Sequence, residues 1–267
     1  MHLDAGACVD THFIFSAAYI ESFNPSDLCT NYLADIGASP NSRGEYSFSV
    51  PAGATFVVIV HEIVSGAGCP AYGLTVGTCT CVISFSDVQP ADYFYPPVQY
   101  LYCHGAISGY GDNTFRPNNT TTRGQLAKIV SLSFDLPTYT PPTPSFSDVP
   151  TTHPFYQYVE TAYHAGLISG YSCGVGCLQF RPGNNITRGQ LCKIIVLARG
   201  WTTYTPPTPT FRDVAATDPF YQYIETAYNH GIISGYNCGT ACLEFRPGSS
   251  ATRGQICKIV YNAVTLP

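Results

Sequence analysis

Apolar residues between positions 85 and 264 recur at helical spacing, and the whole arrangement occurs three times. In the middle copy Phe155, Val159, Ala162 and Tyr163 fall at i, i+4, i+7 and i+8, one face of a 3.6-residue period. Phe220, Ile224, Ala227 and Tyr228 repeat that face, as do Phe94, Val98, Leu101 and Tyr102. Gly105, Gly166 and Gly231 follow where such a helix wants a left-handed residue at its end. A second helix is predicted to start at Thr122, Thr187 and Thr252, because Thr-x-x-Gln can close a capping box. Leu191, Ile194, Ile195 and Ala198 supply its buried face in the middle copy. Asp218-Pro219 reads as an N-cap followed by proline at the first helical position. Pro96-Pro97 should delay or shorten the first helix of the first copy by about a turn. Neither short helix buries enough apolar area alone, so the three copies are expected to close around one shared core.

The repeat is also literal. Phe85-Ser86-Asp87-Val88 returns as Phe146-Ser147-Asp148-Val149 and Phe211-Arg212-Asp213-Val214. Gly105 to Tyr110 returns at Gly166 to Tyr171 and Gly231 to Tyr236, and Phe115-Arg116-Pro117 as Phe180-Arg181-Pro182 and Phe245-Arg246-Pro247. Thr-Arg-Gly-Gln stands at 122–125, 187–190 and 252–255, with Lys128, Lys193 or Lys258 beyond it. Only one length changes: copies two and three carry four extra residues before Phe-Arg-Pro. Segments 136–144 and 201–209 share Thr-Tyr-Thr-Pro-Pro-Thr-Pro, which favours extended linkers. The expected organisation is a first domain over 1–80, then repeats over 81–137, 138–202 and 203–267.

Residues 1–80 alternate at the period of strands instead. Stretches 12–19, 45–50, 55–60 and 71–76 read as strands, with turns at Asn24-Pro25-Ser26-Asp27 and Pro51-Ala52-Gly53. The predicted class is α+β and multidomain: an antiparallel β-sandwich, incomplete on four or five strands, followed by an all-α module.

Composition narrows the function. Of 267 residues 45% are hydrophobic and 11% charged, which excludes intrinsic disorder and suffices for packed cores. A net charge of −5 argues against nucleic acid as partner. No apolar run approaches the roughly 20 residues of a membrane helix, so no insertion is expected. Twelve cysteines with so few charges point to an oxidising compartment outside the cytosol. Met1-His2-Leu3-Asp4 does not open a signal peptide, so export implies either prior processing or a longer parent protein.

Nine of the twelve basic residues sit at three repeated places: Arg116, Arg181 and Arg246; Arg123, Arg188 and Arg253; Lys128, Lys193 and Lys258. An arginine directly after an N-cap opposes the helix dipole, yet a helix N-terminus beside a guanidinium is a ready anion site. Three similar pockets for a carboxylate or phosphate are one reading. The bland reading pairs each arginine with Asp87, Asp148 or Asp213, or stacks it on the Phe of Phe-Arg-Pro. Neither a Gly-x-Ser-x-Gly elbow, a phosphate-binding glycine loop nor a His-Glu-x-x-His motif occurs, so no enzyme activity, catalytic residue or cofactor is expected.

Phe-Ser-Asp-Val, Gly-Leu-Ile-Ser-Gly-Tyr, Phe-Arg-Pro and Thr-Arg-Gly-Gln, in this order and three times over with small variations, resemble S-layer homology (SLH) domains. The likeness covers residues 85 to about 264. It implies a three-pronged, pseudo-threefold helical module that attaches exported proteins to acidic, often pyruvylated, envelope polysaccharide. It implies Arg123, Arg188 and Arg253 as main ligand contacts and Gly109, Gly170 and Gly235 as loop glycines of the same sites. Lys128, Lys193 and Lys258 are added by charge clustering. The tetrads end in Gly-Gln where the family usually has Ala-Glu, and Phe94, Phe155 and Phe220 or neighbouring tyrosines replace its usual Trp. Ser22-Phe23-Asn24-Pro25, the run 46–53 and Phe56 to Val60 more loosely resemble the later half of pre-peptidase-type β-sandwiches of secreted bacterial proteins. The expected protein is a non-catalytic, exported surface protein holding an envelope glycan. Beside it stand a self-assembling subunit of a surface layer or filament, and the anchoring tail of an exoenzyme.

Cys173 and Cys177, and Cys238 and Cys242, lie in the four-residue insertions and can each close a tight disulfide loop on a pocket rim. Cys192 and Cys257 occupy related positions and could bond near a threefold axis. Cys8, Cys29, Cys69, Cys79, Cys81 and Cys103 make the remaining pairs, with Cys8–Cys29 and one of Cys79 or Cys81 with Cys69 as candidates. Zinc is the rival use of these cysteines with His164 or His230, but apparent export favours disulfides, so no metal is expected.

Overall fold

The structure is a computed structural model and describes residues 1–4, 14–36, 43–51, 53–62, 71–77 and 81–266. The chain divides into two compact units, Met1–Thr80 and Cys81–Pro267.

Among the described residues the first unit holds two antiparallel three-stranded sheets. In one, β1 (His2–Asp4) lies between β4 (Arg43–Glu45) and β6 (Gly73–Thr75). In the other, β2 (Ile14–Ile20) lies between β3 (Tyr32–Asp35) and β5 (Phe56–Glu62), the β2–β5 register running unbroken from Ile14↔Glu62 to Ile20↔Phe56. Leu3, Ile14 and Ile36 form a small buried cluster against which Val60 and Leu74 pack, so side chains of both sheets share it. Two short strands, β1 and β3, escape the periodicity because three or four residues are too few to show alternation. The expected strand over 45–50 is paired only at its start: Tyr46 still exchanges hydrogen bonds with Met1, and the following residues lie outside any strand. The part of the expected strand 12–19 before Ile14 lies outside the described residues.

The second unit is built from helix pairs. The first helices are α1 (Tyr95–Cys103), α3 (Tyr156–His164) and α5 (Tyr221–Asn229); the second are α2 (Arg123–Ser133), α4 (Arg188–Ala198) and α6 (Arg253–Thr265). Each second helix starts on the expected box: the Thr hydroxyl accepts from the Gln backbone N–H while the Gln side chain accepts from the Thr backbone N–H. Gly105, Gly166 and Gly231 end the first helices at φ of 71°, 72° and 70°. Pro96-Pro97 costs α1 nothing in length, because both prolines sit in the first turn, where N–H groups lack helical partners anyway. Asp218 is not the N-cap of α5; Phe220 is, and Asp218 accepts the Phe220 N–H two residues before the helix proper.

Pairing between copies closes on itself. Helix α2 packs on α3, α4 on α5, and α6 returns to α1. The reason is visible at the tetrad glycines: a Cβ on Gly124 would lie 2.5 Å from Phe155, on Gly189 2.8 Å from Phe220, and on Gly254 3.0 Å from Phe94. A glycine that weakens the helix by up to about 1 kcal/mol is therefore where the next copy's aromatic ring must approach. Residues of all three copies contribute to the main core, including Val98, Leu126, Val130, Leu191, Ile195, Ile224 and Val260. Ala127, Phe146, Val149, Tyr156, Val159 and Phe180 form a satellite cluster.

The four-residue insertions fold as hairpins, β7 (Tyr171–Gly174) with β8 (Cys177–Gln179) and β9 (Tyr236–Gly239) with β10 (Cys242–Glu244). The proline-rich linkers are irregular but pinned: the N–H of Tyr139 donates to Thr161 Oγ1 at 3.0 Å and that of Tyr204 to Thr226 Oγ1 at 2.8 Å. Buried Glu160 and Glu225 accept both the N–H and the hydroxyl of Ser145 and Thr210, clasping each linker to the helix that follows. In the first copy Gln99 takes that place, donating to the Cys81 carbonyl at 2.7 Å, beside a disulfide between Cys81 and Cys103.

Candidate functional site

Every second helix opens with a buried arginine. Arg123, Arg188 and Arg253 are only 7%, 5% and 8% exposed. Their Nε donates at 2.8 Å to the carbonyls of Phe180, Phe245 and Phe115, in each case the Phe-Arg-Pro of another copy. Arg123 also donates to Ser169 O at 3.1 Å and Arg253 to Ser108 O at 2.9 Å. Each guanidinium lies 4.4–4.5 Å from the centre of the same phenylalanine ring. The stacking expected of the bland reading is thus present, but its ion pair is not. Among the described residues none of the three arginines has a carboxylate within 4.0 Å. Asp87, Asp148 and Asp213 spend their oxygens on the backbone N–H groups of Phe115 and Arg116, Phe180 and Arg181, and Phe245 and Arg246, all at 2.7 Å. Those bonds hold Arg116, Arg181 and Arg246 in the left-handed region, at φ near 60°. Burial pushes the pKa of Arg123 down, with Tyr171 and Asp148 opposing, yet a guanidinium keeps its proton in any case.

The helix N-termini themselves are not anion sites. The N–H groups of Arg123 and Gly124 donate to the carbonyls of Asn184 and Pro182, those of Arg188 and Gly189 to Ser249 and Pro247, and those of Arg253 and Gly254 to Asn119 and Pro117. With the third N–H taken by the capping Thr, each first turn is satisfied by protein. The sequence expectation of an anion against the helix dipole is corrected accordingly; the partners come from other copies and are invisible to local reading.

Two open grooves run past these arginines. One, of about 180 Å³, is lined by Arg123, Ser169, Gly170, Tyr171, Gln190 and Lys193, with Phe220 from the next copy. The other, of about 370 Å³, is lined by Arg188, Ser234, Gly235, Tyr236, Gln255 and Lys258, with Tyr93 from the first copy. Among the described residues no carboxylate lines either. Each therefore combines a desolvated guanidinium and a lysine with no carboxylate in ion-pair contact among the described residues, an arrangement suited to an anionic group. Arg253, Gly109, Tyr110 and Lys128 are the corresponding residues of the third set. The lysines also face aromatic rings, Lys128 over Tyr158, Lys193 over Tyr223 and Lys258 over Tyr93, at 5.2–5.8 Å.

The loop glycines have a steric reason. A Cβ on Gly109, Gly170 or Gly235 would come within 2.2, 2.6 or 2.7 Å of Phe85, Phe146 or Phe211. What the sequence reading missed is the tyrosine after each. Tyr110, Tyr171 and Tyr236 each lie within 5.2 Å of two guanidiniums, from Arg253 and Arg116, Arg123 and Arg181, and Arg188 and Arg246. Their threefold recurrence was the available signal.

Cys173–Cys177 and Cys238–Cys242 are disulfides across the hairpins that begin with the groove tyrosines. Cys192 and Cys257 are free, so no bond joins them; each fills a fully enclosed apolar site, and burial pushes both thiols up to about 12. Cys29 is an exposed free thiol, which removes the Cys8–Cys29 pair, and Cys81 bonds Cys103 rather than Cys69. Cys8, Cys69 and Cys79 lie outside the described residues.

Comparison with known proteins agrees with this repeat. The S-layer homology domain model matches residues 84–127, 145–192 and 210–257. An endoglucanase of Bacillus sp. strain KSM-635 is 27% identical over 66% of this chain and 18% of its own length. An S-layer protein of Bacillus thuringiensis subsp. finitimus is 27% identical over 66% of this chain and 21% of its own. The S-layer protein sap of Bacillus anthracis is 31% identical over 49% and 16%. The chain thus aligns with about a fifth of each of these relatives.

Proposed function

The chain belongs to the S-layer homology domain family, and on that premise we propose that it is a non-catalytic surface protein whose helical module holds an acidic envelope polysaccharide. Its place is the cell surface or envelope. The observation that carries the glycan reading is the pair of grooves with a buried guanidinium and a lysine but no carboxylate. A pyruvyl or uronic carboxylate fills the missing counter-charge, while the apolar walls and aromatic rings suit the faces of a sugar. Arg123, Arg188 and Arg253 would hold the acid, Lys128, Lys193 and Lys258 would add charge at the rim, and Gly109, Gly170 and Gly235 would let the loops come close. The cyclic helix pairing supports a pseudo-threefold module with three such sites, and the cluster shared by the two sheets supports a small β-sandwich before it.

Co-sedimentation of the full chain with purified acidic wall polysaccharide tests this. Arg188→Ala and Arg123→Ala should each weaken binding, Lys193→Ala and Lys258→Ala should do so without loss of fold, and polysaccharide stripped of its acidic groups should not bind. Equal binding of the stripped polysaccharide would overturn the reading.

A second reading, that this chain is the anchoring part of a longer exoenzyme, is favoured by the endoglucanase relative and by how little of it the chain covers. The relationship to S-layer proteins equally supports self-assembly into a surface layer or filament. Both are compatible with the same grooves.

A further inference from the structure

The glutamine of each tetrad does more than close a cap. Gln190 accepts the Thr187 N–H through Oε1 at 3.2 Å, and its Nε2 donates to the Tyr171 hydroxyl at 3.2 Å. Gln255 repeats this with Thr252 at 3.2 Å and Tyr236 at 3.0 Å. A backbone N–H can only donate, which fixes the oxygen of each amide on the cap side and leaves the nitrogen facing the phenol. An amide nitrogen can only donate too, so each phenol oxygen accepts and its own hydrogen must point elsewhere. Among the described residues neither hydroxyl donates to a protein acceptor, and both tyrosines line their grooves. No bond of this kind joins Gln125 to Tyr110 among the described residues.

Resting on the glycan reading above, we propose that Gln190 and Gln255 are positioning residues that turn the hydroxyls of Tyr171 and Tyr236 into donors aimed at a ligand carboxylate, selecting acidic over neutral sugars in these two grooves. The other groups facing that space are the cations Arg123 with Lys193, and Arg188 with Lys258. An O–H held among cations finds its best acceptor in a carboxylate oxygen, because a charge-assisted hydrogen bond is roughly twice as strong as a neutral one. Glutamate at the same place would keep the cap with one oxygen and accept the phenol hydrogen with the other, turning the donor away from the groove.

The test is calorimetry on the full chain with two probes, a methyl hexoside carrying a 4,6-pyruvyl ketal and the same hexoside without it. The double variant Tyr171→Phe/Tyr236→Phe should bind the ketal probe about tenfold more weakly at the two affected sites, while the ketal-free probe should give no binding heat with either protein. Gln190→Glu/Gln255→Glu should weaken it at least as much. Because the added charge weakens anion binding by itself, the decisive quantity is the coupling: in the Phe background the Glu substitutions should cost clearly less than in the wild type. A purely structural role for the glutamines would lower the melting temperature without changing selectivity between the probes. Unchanged ketal affinity in the Phe variant, or equal Glu penalties in both backgrounds, would overturn the proposal while leaving the glycan reading intact. Failure of the wild type to bind the ketal probe would remove that reading and the proposal with it.

Discussion

Gly235→Ala puts the steric account of the loop glycines to a quantitative test. The backbone there is not left-handed, so the added methyl acts through space alone. It would meet Phe211 at 2.7 Å and the Glu244 carbonyl at 2.9 Å. Phe211 is fully buried and cannot swing away, and Glu244 is fixed in β10 opposite Tyr236. Overpacking of this kind costs about 1–3 kcal/mol, and at roughly 2–4 °C per kcal/mol for a unit of this size the melting temperature should fall by about 2–12 °C. Gly248→Ala, with nothing within 4 Å, is the matched control and should be neutral. Gly170→Ala should resemble Gly235→Ala, since Phe146 and the Gln179 carbonyl stand at 2.6 and 3.0 Å. Gly109→Ala should be milder despite a 2.2 Å approach, because only the half-buried Phe85 ring is in the way. Thermal unfolding of the helical signal reads all four. If Gly235→Ala melts with Gly248→Ala, packing is not what demands glycine, and the argument fails.

Three further outcomes follow from the interior. Glu225→Ala leaves the half-buried N–H and hydroxyl of Thr210 without their acceptor and should cost about 1–3 kcal/mol in urea unfolding; an unchanged midpoint would show that the linker clasp contributes nothing. With their thiols pushed up to about 12 by burial, Cys192 and Cys257 should resist alkylation at pH 8 and still at pH 9 in the native protein, whereas exposed Cys29 reacts. Peptide mapping before and after unfolding checks this, and native labelling of Cys257 would contradict it. Cys103→Ser opens a disulfide spanning a sequence separation of 22 and should cost about 3 kcal/mol by loop entropy, seen in the same urea experiment; no loss would mean that Gln99 alone secures the start of the first copy.

What could be read beforehand was local or repeated. Thr187 and Gln190 declare their helix start in four letters, and Gly166 its end, because caps are contacts between near neighbours. The positive residues of the grooves stood out for the same reason, as copies at equal spacing. Contacts between copies could not be read. Gly189 reads locally as a propensity penalty, whereas Phe220 of the next copy packs against it, and the N–H groups of Arg188 and Gly189 read as open, whereas the carbonyls of Ser249 and Pro247 accept them. Tyr171 and Tyr236 were written in the motif, but their role depends on arginines from two copies meeting at one ring. The pairing of Cys81 with Cys103 likewise rests on proximity that spacing does not encode.

The most direct test of the central claim is a titration of the full chain, isotopically labelled at tyrosine, with an acidic fragment of wall polysaccharide, followed by NMR. Selective, saturable shifts at Tyr110, Tyr171 and Tyr236, abolished when the fragment's carboxylates are esterified, are the predicted result. Shifts confined to other tyrosines such as Tyr139 and Tyr204, or equal shifts with the esterified fragment, would contradict it.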